Sequence, residues 1–385
     1  MEIVAYYEGA DDVKHWLDLL LHGNTIIYKK IPINSSKEFT ELPAYIADIL
    51  YLDKPDVILA GRIDGIHEKP LFSIEFASCT PQYQHALQRF SRMMASVAAG
   101  CPSLIIMARQ KAENSGGGTI YQRSRALEYG AVKLMDAYRI PAFVFDWPEV
   151  EGVLQNEPNT GLPILNAASI LSLKNLLQQS FIAFNNNDYI SALWKLPDVI
   201  ALIDKMRNQA YYGGAPTIDR PGGGGVAASQ ASLKLWDTNV LLSDIRSTRA
   251  GAARFLAAIP DFIERRSQSL VFNPTRIVKH AGDPYVGMIG YYDIAFCRNG
   301  PSSRDRVYNL VAYCNGLSIN EVEMAMGGFV QRICPFTKSI TPTNVLQYSY
   351  NLKHGCRETK IKPIRIYSEL ADMVVFDDGI IFNVG

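Results

Sequence analysis

The chain has 385 residues, 48% of them hydrophobic, enough to bury a sizeable core and long enough for about two domains at roughly 150 residues each. Thirty-eight basic and thirty-eight acidic side chains cancel, so bulk charge names no partner. The longest near-apolar stretch, Ser96 to Ala108, is too short to span a bilayer and contains Gly100 and Pro102, which excludes a membrane helix there. The opening residues, MEIVAYYEG, carry no basic region and no cleavage-site pattern, so no signal peptide is expected. Six cysteines stand far apart with no CxxC pair. That argues against a zinc cage or disulfide scaffold and for reduced, mostly buried thiols in a soluble cytoplasmic protein.

The first 150 residues alternate strand-like and helix-like segments. Ile3 to Tyr7 reads as a strand. Val13, Trp16, Leu17, Leu20 and Leu21 follow at the spacing of one helical face. Ile26 to Ile31 is a second strand and Glu41 to Tyr51 a helix. Asp56 to Gly61 (DVILAG) and Leu71 to Ala77 (LFSIEFA) flank the turn dipeptide Asp64-Gly65, which predicts a long hairpin. Thr80 caps the next helix with Pro81 at its first position. Its apolar face is Tyr83, Leu87, Phe90, Met94 and Val97, and Gly100 and Pro102 end it. Leu104 to Met107 is a short buried strand. A Gly-rich loop at Gly116 to Gly118 leads to a helix bearing Leu127, Ala131, Leu134 and Tyr138, then the strand Phe143 to Phe145. Ile164 to Met206 reads as mostly helical, Tyr211 to Gly225 as a loop or linker, and Leu241 to Arg266 as one helix. Asp372 to Phe382 (DMVVFDDGIIF) echoes Asp56 to Ile66 (DVILAGRIDGI), by chance or as a second hairpin.

Chemistry concentrates between Lys54 and Arg92. Asp56 opens the first hairpin strand and Glu75 lies on the second, so two carboxylates nineteen residues apart in sequence converge at one end. Such a pair is a hard-oxygen site suited to Mg²⁺ or Mn²⁺. A carboxylate between Ile74 and Phe76 is costly without a partner. Asp56, a hairpin, then Glu75 followed by a helix resembles the PD-(D/E)XK nuclease superfamily, which includes many type II restriction endonucleases. The resemblance covers Glu41 to Trp147, where element order matches the superfamily's αβββαβ core to within one strand. It implies an α/β core, a mixed sheet flanked by helices, that hydrolyses DNA with Mg²⁺ held by Asp56 and Glu75. Where the family has Lys, two residues beyond the second acid, this chain has Ala77. Gln84 and Gln88, one turn apart, are the local substitutes, and the block Gln84 to Arg92 resembles the glutamine-bearing helix of RecB-like branches. Arg89 and Arg92 are expected to contact DNA phosphate. Loss of the Lys equally suits a site that binds DNA without cutting.

Other residues have plainer readings. Asp64 serves the turn, with a spare ligand role behind it. Glu8, Glu38, Glu41 and Asp48 are helix-end or surface acids, one of which would complete a metal shell. His85 and His67 are lone histidines, and Lys29 and Lys30 a solvated pair that would otherwise supply the absent cation. Glu8-Gly9 after a strand resembles the opening of a Toprim domain, another Mg²⁺ phosphodiester fold, but Phe145-Asp146-Trp147 lacks the Asp-x-Asp pair that fold requires. Gly222 to Gly225 lack a following Lys-Ser/Thr, so no phosphate-cradling loop exists, and neither GxSxG nor HExxH occurs.

From Gln331 to Ile366 seven Lys/Arg face one acid, Glu358. Lys353, Arg357 and Lys360, interleaved with Tyr348, Tyr350 and Tyr367, suit phosphate contact and base stacking, or a solvated basic face. Arg246, Arg249, Arg254, Arg265 and Arg266 add to that possibility. The expectation is a nuclease domain over residues 1–150 and a mainly helical, mixed domain over 151–385 for DNA recognition or dimerisation. A homodimer follows if both strands of a symmetric site are cut.

Overall fold

The computed structural model describes residues 2–9, 11–32, 42–62, 67–79, 83–112, 120–186, 188–221, 232–273, 286–316, 346–348 and 362–383. They form two units, Met1–Ala215 and Pro216–Gly385, each mixed α/β. Among the described residues no helix is long and apolar enough to cross a membrane.

The first unit begins β1 (Glu2–Tyr7), α1 (Asp12–Leu20), β2 (Ile26–Lys30), α2 (Ala44–Leu52), β3 (Val57–Arg62) and β4 (Glu68–Ala77). It continues with α3 (Tyr83–Gln88), α4 (Phe90–Ala98), β5 (Ser103–Ala108), the short ribbon β6 (Gln110–Ala112) and β7 (Ile120–Gln122), α5 (Ala126–Tyr138) and β8 (Ala142–Trp147). A second ribbon, β9 (Glu149–Val150) with β10 (Val153–Leu154), precedes α6 (Ala168–Ala183), α7 (Tyr189–Trp194) and α8 (Pro197–Ala210). Six strands make one sheet in the order β2-β1-β3-β4-β5-β8. β3 lies antiparallel to both β1 and β4, whereas β4, β5 and β8 run parallel.

The strands are near-continuous apolar runs because helices cover both sheet faces. Period-two alternation decides which side chain goes where. On β4, Phe76 turns to Trp16 of α1 and Trp147 of β8, with ring centroids 5.0 and 6.5 Å away. Glu75 therefore turns to the other face, where α3 and α4 lie. The expected hairpin is present as β3 and β4; its turn, Asp64-Gly65, lies outside the described residues. The helix face Tyr83, Leu87, Phe90, Met94 and Val97 is buried as the spacing requires, although the helix is interrupted at Arg89. At its end Gly100 takes φ +78°, and the Cys101 amide donates to the Ser96 carbonyl (2.9 Å), a left-handed stop that glycine adopts at little cost.

The division falls after residue 215, not at 150. The helices α6 to α8 complete the first unit: Tyr189 Oη donates to the Leu71 carbonyl (3.1 Å), Trp194 Nε1 to that of Arg139 (2.9 Å), and Trp16 Nε1 to that of Pro163 (2.8 Å). Among its described residues the second unit mixes helices with a six-stranded sheet. It holds β11 (Ser232–Asp237), α9 (Thr238–Thr248), α10 (Ala250–Ala253), α11 (Asp261–Arg265), β12 (Gln268–Asn273), α12 (Val286–Tyr292), β13 (Asn309–Tyr313), β14 (Leu346–Tyr348), α13 (Lys362–Leu370), β15 (Met373–Val375) and β16 (Ile380–Asn383). Its sheet has the order β11-β12-β13-β15-β16-β14. Short apolar strands such as NLVAY carry no periodicity that separates them from buried helix turns. The single helix expected over Leu241 to Arg266 breaks at Arg249 and again before Pro260. The echo at Asp372 to Phe382 is a hairpin, β15 pairing antiparallel with β16.

Candidate active site

In the β3–β4 pair Val57 stands opposite Ile74, which brings Asp56, one residue earlier, level with Glu75. Asp56 is fixed by its own surroundings. Its Oδ2 accepts the Phe76 amide (2.7 Å), and its carbonyl accepts the Glu8 amide (2.8 Å). Across from this strand end, Arg89 and Arg92 project from the α3–α4 segment three residues apart, neighbours on a helical surface. Arg92 Nη1 pairs with Glu75 Oε1 and lies 3.6 Å from Asp56 Oδ1, so one guanidinium is shared by both carboxylates. Arg89 Nη1 adds a contact to the same Glu75 oxygen at 3.2 Å. A third acid stands behind Arg92: Asp53 Oδ1 is 3.8 Å from Arg92 Nε and accepts the Lys54 amide, while its Oδ2 accepts Ser91 Oγ.

Glu75 is 1% exposed. Burial, then the Asp56 charge, pushes its carboxyl up to about 8 against the pull of Arg92 and Arg89. Burial also works against the Arg92 charge, but Glu75, Asp53 and Asp56 outweigh it and hold the guanidinium protonated. Glu75 Oε2 is buried with no hydrogen-bond partner among the described residues, a condition that calls for a missing cation or donor.

Among the described residues no three His, Cys, Asp or Glu side chains group as a metal cage. The pair Asp56–Glu75, with one orphaned oxygen, nonetheless fits Mg²⁺, which takes one or two carboxylates and completes its shell with water and phosphate oxygens.

The remaining sequence candidates fall as follows. Arg89 and Arg92, expected to face DNA phosphate, turn inward onto Glu75 instead, because a buried carboxylate demands a counter-charge. Gln88 is half-buried beside Arg89; the Gln84 side chain lies outside the described residues, as do Glu38, Glu41, Lys353, Arg357, Lys360 and Tyr350. His85 is half-buried, with burial and then Arg89 pulling its pKa down. Lys29 spends its charge on Glu68 (2.8 Å), which also receives Arg62 (2.6 Å) and Tyr6 Oη (2.5 Å). In the second unit Tyr367 is core, its ring 5.9 Å from Phe272, and Arg266 reaches Asp372 (3.0 Å) and Asn309 (3.2 Å) rather than solvent.

Two residues near the strand end carried no sequence signal. Asp53 closes α2 one residue before Lys54. Lys111 Nζ, from β6, donates to the carbonyl of Ser78, the residue after Ala77, so an ammonium arrives at the end of β4 from a neighbouring ribbon. No protein-family model matches the chain, and no curated protein or solved structure matches it.

Proposed function

We propose that the protein is a metal-dependent endonuclease that hydrolyses DNA phosphodiester bonds, built on a restriction-endonuclease-like core and acting in restriction or anti-phage defence. The observation that carries the reading is the meeting of Asp56 and Glu75, from adjacent strands, on one guanidinium, with Glu75 Oε2 left unpartnered among the described residues. Asp56 and Glu75 would hold Mg²⁺. When bound, the ion would lower the pKa of a water and neutralise charge growing on the phosphodiester.

The chain's own residues have separate tasks. The Phe76 amide fixes the Asp56 carboxylate. Arg92 neutralises the acid pair while no ion is bound, and must yield part of that contact to one. Arg89, on the same oxygen of Glu75, pulls the carboxyl toward its ionised form against burial. With Ala77 unable to position the attacking water, Gln84 or Gln88 would orient water or the metal in its place. DNA is the expected partner and a homodimer the expected assembly.

Incubation of the full chain with supercoiled plasmids and Mg²⁺ or Mn²⁺ tests this. Nicking is expected, reduced by about a hundredfold or more in Asp56→Asn and Glu75→Gln, with circular dichroism unchanged. A second reading, a nuclease fold that binds DNA without cutting, is favoured by Ala77 and by the guanidinium already seated between the acids. DNA binding without nicking on any substrate would establish it. Activity lost in Glu8→Gln but kept in Glu75→Gln would instead favour the Toprim-like alternative.

A further inference from the structure

A second feature of the first unit has chemistry of its own. A cavity of about 720 Å³ opens where β5 and β7 end, α5 begins and α8 passes, within the size range of small-molecule sites. Four cations, Arg109, Arg123, Arg125 and Lys205, line it with two acids, Glu128 and Asp204, and Tyr212 stands at its side.

The local charges show what is already used and what is free. Arg123 is fully committed. Its Nε and Nη2 bond Glu128 Oε1 (3.0 and 2.7 Å), Nη2 also bonds Asp146 Oδ1 (2.7 Å), and Nη1 donates to the Met107 carbonyl (2.6 Å). Burial opposes the Asp146 charge, but Arg123 outweighs it and holds the carboxyl below its ordinary value. Among the described residues the other cations have no such partner at hydrogen-bond length. Arg109 and Lys205 reach Asp146 Oδ2 only at 3.6 and 3.7 Å, with side chains 53% and 58% exposed. Arg125 lies over the Tyr212 ring, 5.5 Å from its centroid, and its buried Nη1 has no hydrogen-bond partner among the described residues. Gly213 leaves it that room, since a Cβ there would come within 3.2 Å of Nη1. On the same lining, Glu128 Oε2 is buried and also unpartnered among the described residues.

A buried donor and a buried acceptor without partners are each costly, so the cavity suits something that supplies both complements. The ligand must bring an anion for Arg109, Arg125 and Lys205 and a hydroxyl or amino donor for Glu128. Tyr212, exposed to solvent, adds a ring on which a flat group can stack. We propose that this cavity binds a nucleoside phosphate, with the phosphate on Arg109, Arg125 and Lys205 and the sugar hydroxyls or base amine on Glu128. The proposal stands apart from the nuclease reading, because it uses neither Asp56 nor Glu75.

Isothermal titration of the full chain with AMP, GMP, CMP and UMP, beside adenosine and inorganic phosphate, tests it. At least one mononucleotide is expected to bind with micromolar affinity, and its nucleoside and phosphate alone at least about tenfold more weakly. Short oligonucleotides with and without a 5′-phosphate separate a free nucleotide from a strand end as the source of the same chemistry. Arg125→Gln should weaken binding by about tenfold or more. Lys205→Gln, on the exposed side of α8 and harmless to folding, should weaken it by several-fold and Glu128→Gln should shift the preference among nucleotides. Absence of binding by every mononucleotide and oligonucleotide at millimolar concentration, equal affinity for phosphate alone, or unchanged affinity in both Arg125→Gln and Lys205→Gln would overturn the proposal.

Discussion

Arg92 sits at the balance point of the candidate site. It is the cation through which a buried glutamate and a strand-start aspartate tolerate each other. Removing one partner of a buried ion pair is costly because the other charge stays desolvated, so Arg92→Ala should lower stability by about 3–5 kcal/mol in thermal or urea unfolding. If the acids hold a divalent ion, added Mg²⁺ should raise the Tm of this variant more than that of the unaltered chain, since the ion takes the place of the lost charge. Glu68 tests electrostatics away from the site. Burial raises its carboxyl pKa, yet the hydrogen bonds from Lys29, Tyr6 and Arg62 outweigh burial and hold it below the ordinary value of 4.5. A depressed folded pKa contributes stability that is present above that value and lost as pH falls through the lowered one. Glu68→Gln should therefore be less stable at neutral pH and lose less on acidification below 4.5, measured by urea unfolding across a pH series.

At the scale of elements, the β3–β4 pair sets the site through its register, and the α3–α4 segment sets it through spacing of three residues. The small ribbons matter as much for Lys111. They are held by a close approach: Gly152, at φ +79°, accepts the Ala112 amide on its carbonyl (2.9 Å), and a Cβ there would lie 2.6 Å from that same nitrogen. Gly152→Ala should cost about 1–3 kcal/mol from left-handed strain alone, with the backbone clash added. Gly161→Ala is the control, at φ +65° with nothing within 4 Å. Thermal unfolding of both variants should show the larger loss at Gly152. In the second unit a similar tie is ionic. Arg306 joins Asp293 (2.7 and 2.9 Å) to Asp372 (2.7 Å), and Asp372 accepts the Leu310 amide (2.9 Å) at the start of β13.

At the scale of the whole molecule, each unit buries side chains of its own among its described residues. One face of the second sheet packs Val271, Val311, Met373 and Phe382 against Leu241, Ile245 and Phe255. Phe272 on the opposite face meets Tyr292 and Tyr367. The first unit has its own two covered faces around Glu75. A unit with its own core can fold alone, so residues 1–215 made without the rest should unfold as one cooperative transition, whereas residues 1–150 should not. The shorter piece loses the Tyr189–Leu71 and Trp16–Pro163 hydrogen bonds and uncovers apolar surface. Calorimetry and circular dichroism on the two fragments check this.

Sequence alone determined the local facts. Alternation and turn chemistry marked the β3–β4 hairpin, three- and four-residue spacing marked the face of α3 and α4, and a glutamate among apolar neighbours marked Glu75. Each of these is written in residues close together in the chain. Tertiary structure decided the rest, because it depends on contacts between distant residues. Nothing in the text of the chain shows that Arg92 turns inward to two acids, that Lys111 reaches the carbonyl beside Ala77, or that Arg123 gathers Glu128 and Asp146 while Arg125 lies over the Tyr212 ring. The short strands of the second unit escaped for a related reason. Five buried apolar residues fit a strand or a helix turn equally well, and only the neighbouring strands of the sheet select between them.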